Sequence, residues 1–140
     1  MGTTNFDAVQ ATSIAAALTG QLAAYPTVAR TATTAGDGTG VIADAGMLQF
    51  VTVTCDNAAK IITLPTPTPG TIVILRNGAT GYELRSSAPA TVAINGGSAA
   101  NAESAIGAST MVIAVCTSPT TWQAIGIAGA TLAGVEAAAA

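Results

Sequence analysis

The side chains able to do acid–base, redox or nucleophilic chemistry are few in this 140-residue chain: seven carboxylates, four basic residues, two cysteines and no histidine. The acids are Asp7, Asp37, Asp44, Asp56, Glu83, Glu103 and Glu136. They are scattered, and no spacing sets two of them across a cleft as glycoside hydrolysis requires. Serine and cysteine lack the imidazole that most often activates them. Lys60, the base available for a Ser-Lys pair, reads instead as a solvated lysine beside a hairpin turn. Gly36-Asp37-Gly38-Thr39-Gly40 has the glycines of a phosphate loop, but no Gly-Lys-Ser/Thr follows and no strand leads in, so a flexible linker is the better reading. Calcium would need more oxygen donors than Asp37 and Asp44 provide, and structural zinc would need CxxC or histidine ligands. No catalytic residue, cofactor or metal ligand is expected.

The remaining candidates concern recognition and packing. Arg76 and Arg85 flank Asn77-Gly78 with Glu83 nearby, which suggests a cross-strand ion pair. Trp122 and Tyr82 are the candidates for stacking on a glycan, although a core or interface place suits a tryptophan better where large side chains are so scarce. Cys55 and Cys116 lie in apolar, strand-like runs. A disulfide and two reduced cysteines packed as small hydrophobes both fit, the second better.

Composition narrows the function classes. Half the residues are hydrophobic but 4% are aromatic and 8% charged, against about 25% charged in ordinary soluble domains. Alanine (32) and threonine (22) dominate, and the formal net charge is −3. Four basic residues cannot neutralise enough phosphates to make nucleic-acid binding the main activity. The uncharged stretch 8–29 is rich in alanine, is broken by Gln, Thr, Ser and Pro, and has no basic residue before it. Neither a membrane span nor a signal peptide is expected, and the chain reads as soluble.

The elements that would position these residues fall into three parts. Residues 1–46 read as an N-terminal α-helix over 5–24 and an extended arm over 27–46. Phe6, Val9, Ile14, Leu18 and Leu22 recur at steps of three to five, and Tyr25-Pro26 stops the helix. The stripe fits a helix covering its own domain or a self-associating, docking helix equally well. Residues 47–127 alternate short Val/Ile/Leu/Thr runs with Gly, Pro and Asn, placing strands at 48–55, 60–64, 71–76, 82–85, 90–94, 110–116 and 121–127. Residues 128–140 form a Gly/Ala tail, free or laid along a partner. The expected fold is mainly β: a small antiparallel β-sandwich or barrel with an N-terminal α-helix and extended arms.

Ile72-Val73-Ile74-Leu75 and the run Met111 to Cys116 are continuously apolar, whereas an antiparallel strand with one wet face alternates. Both faces are therefore expected to be covered, with Ile72, Ile74, Val112 and Ala114 as candidate interface residues. Oligomerisation would supply burial that so small a core lacks.

Residues 61–96 combine a Leu-Pro, a Pro-rich gap, a Gly, an apolar strand ending in Asn, a polar hairpin and a Val-x-Ile-Asn-Gly turn. Residues 110–126 add an apolar strand, a Ser-containing turn and Thr-Trp before a last apolar strand. Over about 47–127 this pattern resembles the small β-modules of tailed-bacteriophage virion proteins: head decoration (cement) proteins, head fibres and tail-fibre modules. The resemblance implies a homotrimer in the virion, attached to the major capsid protein or another virion protein. The expected function is a non-enzymatic capsid decoration protein that oligomerises and stabilises the head shell. The alternative is a head- or tail-fibre module that binds a host receptor or glycan, which requires an exposed Trp122 or Tyr82.

Overall fold

A chain that passes back and forth between two layers sets the architecture. The computed structural model describes residues 27–129 and 131–140. Their strands are β1 (Thr27–Thr31), β2 (Leu48–Thr54), β3 (Ile61–Thr63), β4 (Ile72–Asn77), β5 (Tyr82–Arg85), β6 (Ala93–Ile94), β7 (Glu103–Ile106), β8 (Thr110–Ser118), β9 (Thr121–Ala128) and β10 (Thr131–Ala133). A seven-stranded sheet has the order β1-β2-β4-β8-β9-β10, with β6 also against β9; a three-stranded sheet has the order β3-β5-β7. No α-helix occurs among the described residues. The helix expected over 5–24, with Phe6, Val9, Ile14, Leu18 and Leu22, lies outside them.

The mainly β class holds, but the sheets are mixed rather than antiparallel. The chain alternates between layers from β2 to β5, so β2 runs parallel to β4 and β3 parallel to β5. Each circuit takes 22 to 24 residues: Thr27 pairs with Phe50, Leu48 with Ile72, Ile61 with Glu83. Only after β7 does the chain turn to tight hairpins, β8-β9 and β9-β10, which are antiparallel. The Pro-rich stretch 65–70 and Asn77-Gly78 are thus passages between layers, not turns within one sheet.

Residues 27–46 do not form a linker; they make the first circuit of the coil. β1 pairs along β2, Thr33 bridges to Ile61, Val41 bridges to Thr63, and Ala32 and Ile42 are buried in the core. The glycines around Asp37 answer to this close passage. Gly36 has φ +68°, and a Cβ there would stand 2.6 Å from Ile61 Cγ2, a clash no rotamer of a larger residue avoids. The C-terminal segment likewise lies on its own domain. Ala138 N–H donates to Ile94 O at 3.1 Å, Glu103 and Ala139 exchange both main-chain bonds at 2.9 Å, and Ser104 Oγ donates to Glu136 O at 2.9 Å. It passes so near Gly97 that a Cβ there would meet Ala138 O at 2.0 Å.

One core fills the space between the sheets. Val51, Val53, Val73, Leu75, Val112, Ala114, Cys116 and Trp122 face it from the larger sheet, and Ile62, Leu64, Tyr82, Leu84 and Ile106 from the smaller one and its margin. Two asparagines, Asn77 buried and Asn95 half-buried, tie its ends. Asn77 Nδ2 donates to Thr80 O and Gly107 O (2.7 and 2.9 Å), and Oδ1 accepts from Thr110 N–H at 2.9 Å. Asn95 Nδ2 donates to Ala124 O and Val135 O (2.9 and 2.7 Å), and Oδ1 accepts from Ala124 N–H at 2.8 Å. Each replaces main-chain pairing where the sheets end.

Candidate functional site: the outer face of the larger sheet

The continuous apolar runs of the sequence become two separate surfaces once the pleat is applied, because successive side chains in a strand point to opposite faces. In β4, Val73 and Leu75 are in the core while Ile72 and Ile74 are half-buried on the outside. In β8, Val112 and Ala114 are fully buried inside, while Met111, Ile113 and Val115 point outward. Of the four expected interface residues, Ile72 and Ile74 therefore lie on the outer face. Val112 and Ala114 belong to the core and are corrected accordingly.

Strand register assembles the outer residues into rows. Phe50, Ile74, Ile113 and Ile125 lie side by side on β2, β4, β8 and β9, with Thr27 of β1 completing the row. Leu48, Ile72 and Val115 form the row on one side, and Met111, Ile127 and Leu132 continue the row on the other. Ile125 is 43% and Leu132 67% exposed, Thr27 is exposed too, and the rest are half-buried. A depression of about 330 Å³ lies among Thr27, Phe50, Ile74, Arg76, Met111 and Ile113. Arg76, in register with Thr52 and Met111, is the charged residue of this surface, and neither ion pair among the described residues involves it. Its continuity makes this sheet face the candidate interaction surface.

The other candidates take structural places. Trp122 and Tyr82 are 0% and 1% exposed, so neither offers a ring face to a glycan, and the stacking role is withdrawn for both. Trp122 Nε1 and Tyr82 Oη are buried without a hydrogen-bond partner. Burial, with Cys55 adding to it, pushes the Tyr82 phenol far above its ordinary value. Cys55 and Cys116 are both free thiols; they donate to Asn57 O and Ser118 O, and burial raises the Cys116 thiol.

Arg85 pairs with Glu103 on the neighbouring strand and donates to Ala35 O at 3.2 Å, while Arg76 sits in the other sheet. The expected Arg76–Arg85–Glu83 cluster therefore does not form. Burial, and secondarily the Glu103 carboxylate, raises Glu83 above the usual glutamate range. Lys60 pairs with Asp56 at 2.8 Å, and its hydrogen bond holds the exposed Asp56 carboxyl below its ordinary value. Among the described residues no three His, Cys, Asp or Glu gather to hold a metal ion, and no helix is long and apolar enough to cross a membrane.

Sequence reasoning missed most of the outer face: Phe50, Met111, Ile113, Val115, Ile125, Ile127 and Leu132. The signal was every second residue of the expected strands at 48–55, 110–116 and 121–127, while Leu132 lies in a strand the pattern did not show. Their joining into one surface depends on register across five strands, which no local pattern carries. No protein family, no curated protein and no solved structure matches this chain.

Proposed function

We propose that this protein is a non-enzymatic virion building block: a capsid decoration (cement) protein that associates with itself, as a homotrimer, and stabilises the shell of a phage head. The observation that carries the reading is the apolar outer face of the seven-stranded sheet, whose rows are half-buried or exposed although the core on the opposite face is complete. Covering apolar surface drives association in proportion to the area removed from water. The shortage of charge fits the same reading, since a surface laid against neighbours needs little solvation. Added contact area across adjacent shell proteins would resist expansion and heating of the particle. The fibre-module alternative loses its stated requirement, because both candidate stacking rings are buried.

Particles assembled without the protein are expected to lose heat and low-salt stability and to regain both when it is added back. Particles equally stable with and without it would refute the function.

A further inference from the structure

We infer that the cavity beside Gln49, at one end of the sandwich, binds the acetamido group of an N-acetylated hexosamine, with the sugar ring at its mouth. Such a site goes beyond the building-block reading and does not depend on it. Gln49 stands where the pleat calls for an apolar residue. Gln49, Val51 and Val53 alternate along β2 on the inward face, and Gln49 is 6% exposed. Its Nε2 is buried without a hydrogen-bond partner, and among the described residues nothing donates to its Oε1. A buried donor left unpaired is costly, so a carboxamide at this position calls for a partner that the described chain does not supply. Trp122 and Tyr82, whose polar atoms are also unpaired, belong to the closed core. Gln49 instead lines a cavity of about 150 Å³.

The floor of the cavity is Gln49, Pro65 and Thr71, all buried, and its rim includes Asp44, Met47 and Thr66, all exposed. Main-chain bonds fix these walls. Ile72 N–H donates to Met47 O at 2.7 Å, and Thr71 O accepts from Cys116 N–H at 2.8 Å. Asp44 Oδ1 accepts from Thr66 N–H at 2.9 Å, which leaves its other oxygen for a ligand. Met47 closes over Gly70, where a Cβ would stand 2.9 Å from its Cε. Among the described residues the Thr66 and Thr71 hydroxyls make no hydrogen bond. A site held in this way loses little freedom when it is filled.

The free groups select the ligand. A carboxamide with an unused N–H and an unused C=O pairs with a second amide, donating to its carbonyl and accepting from its N–H. No basic residue lines the cavity, which disfavours a carboxylate or phosphate, and one carboxylate is too few donors for a divalent cation. A cavity of about 150 Å³ takes one group of about the size of benzene, so the amide must stand at the end of its ligand. A peptide group within a chain carries substituents on both sides. An acetamido group ends in a methyl, which Pro65 and Met47 can receive. At the mouth, the second Asp44 oxygen and the Thr66 hydroxyl suit hydroxyl groups. A terminal acetamide beside ring hydroxyls is an N-acetylated hexosamine. With no aromatic ring in the lining, binding is weak: about fifteen non-hydrogen atoms at ordinary ligand efficiency give a Kd on the order of 1 mM.

The test titrates the 15N-labelled full chain with N-acetylglucosamine, N-acetylgalactosamine, glucose and N-acetylalanine methylamide, the last standing for a peptide. At least one acetamido sugar is expected to saturate with a Kd on the order of 1 mM and to shift the Gln49 side-chain amide signals, with glucose and the peptide probe about tenfold weaker or more. Gln49→Met keeps the volume and removes both polar atoms; it is expected to stay folded and to weaken binding about tenfold or more. Thr71→Val, an independent variant, should weaken it about threefold or more. Saturation by neither acetamido sugar, glucose or the peptide probe binding as tightly, shifts confined to other residues, or variants that bind as the unaltered chain does would overturn the inference. So would a crystal grown in saturating sugar that shows only a water on Gln49 Nε2. Shell stabilisation without sugar binding would sink this site alone. Sugar binding by a protein that stabilises no shell would sink the cement function instead.

Discussion

A hydroxyl introduced on either side of one sheet separates the two surfaces. Val112 of β8 and Ile125 of β9 are on adjacent strands but opposite faces, 0% and 43% exposed. Val112→Thr puts a hydroxyl into the core without a partner, at a cost of about 1–3 kcal/mol, and forfeits about 0.8 kcal/mol for the lost methyl. Folding stability should fall by about 2–4 kcal/mol. Ile125→Thr keeps a β-branched residue with its hydroxyl in water, so the isolated chain should change by no more than about 0.5 kcal/mol. Association is different. The exposed 43% of Ile125 represents about 0.6–1.3 of the roughly 1.5–3 kcal/mol for burying an isoleucine. Desolvating the new hydroxyl adds about 1–3 kcal/mol. Together these weaken association by about 2–4 kcal/mol, or roughly 30- to 700-fold. Sedimentation velocity over a dilution series reads the second effect, and thermal unfolding followed by Trp122 fluorescence reads the first. The reasoning fails if Ile125→Thr leaves association unchanged, or if it lowers the melting temperature as far as Val112→Thr.

Asn77→Ala strands the buried Thr110 N–H, while the freed carbonyls of Thr80 and exposed Gly107 regain water. A loss of about 2–4 kcal/mol is expected in urea unfolding, and a loss under about 0.5 kcal/mol, the usual range of a surface substitution, would show that the clamp is dispensable. Glu83 has its folded value raised by burial, so the folded state holds that proton more tightly than the unfolded chain. Stability should therefore fall as pH rises from the ordinary glutamate value through the raised one. Glu83→Gln should remove that fall and leave the protein more stable at neutral pH; urea midpoints across the range with the same slope in both proteins would contradict this.

Six strand positions were legible in the sequence within a residue or two: β2, β3, β4, β5, β8 and β9. Their Val/Ile/Leu/Thr runs bounded by Gly, Pro and Asn are local signals of a pleated, buried segment. The expected strand over 90–94 shrinks to Ala93–Ile94, because Thr91 and Val92 N–H both turn back to Ala88 O. β1, β7 and β10 were missed for a shared reason. TVART, ESAI and TLA are short and carry few large apolar residues, and their pairing is decided by main-chain bonds to strands already placed. The tail was illegible on the same ground: Ala138 is buried by where it lies, not by its own hydrophobicity.

The sequence by itself determined the β class, most strand positions, the poverty of chemistry and the presence of more apolar strand surface than one core requires. Those properties are carried by residue type and period, which are local. Only the tertiary structure decided which apolar residues are core and which are surface. The pleat sends Val112 and Ala114 inward and Ile72 and Ile74 outward, and register then joins Ile74 to Phe50, Ile113 and Ile125 across strands up to 75 positions apart in the chain. It also decided that Trp122 and Tyr82 are buried, because the circuit of the chain between two layers, not any feature around either ring, closes the core over them.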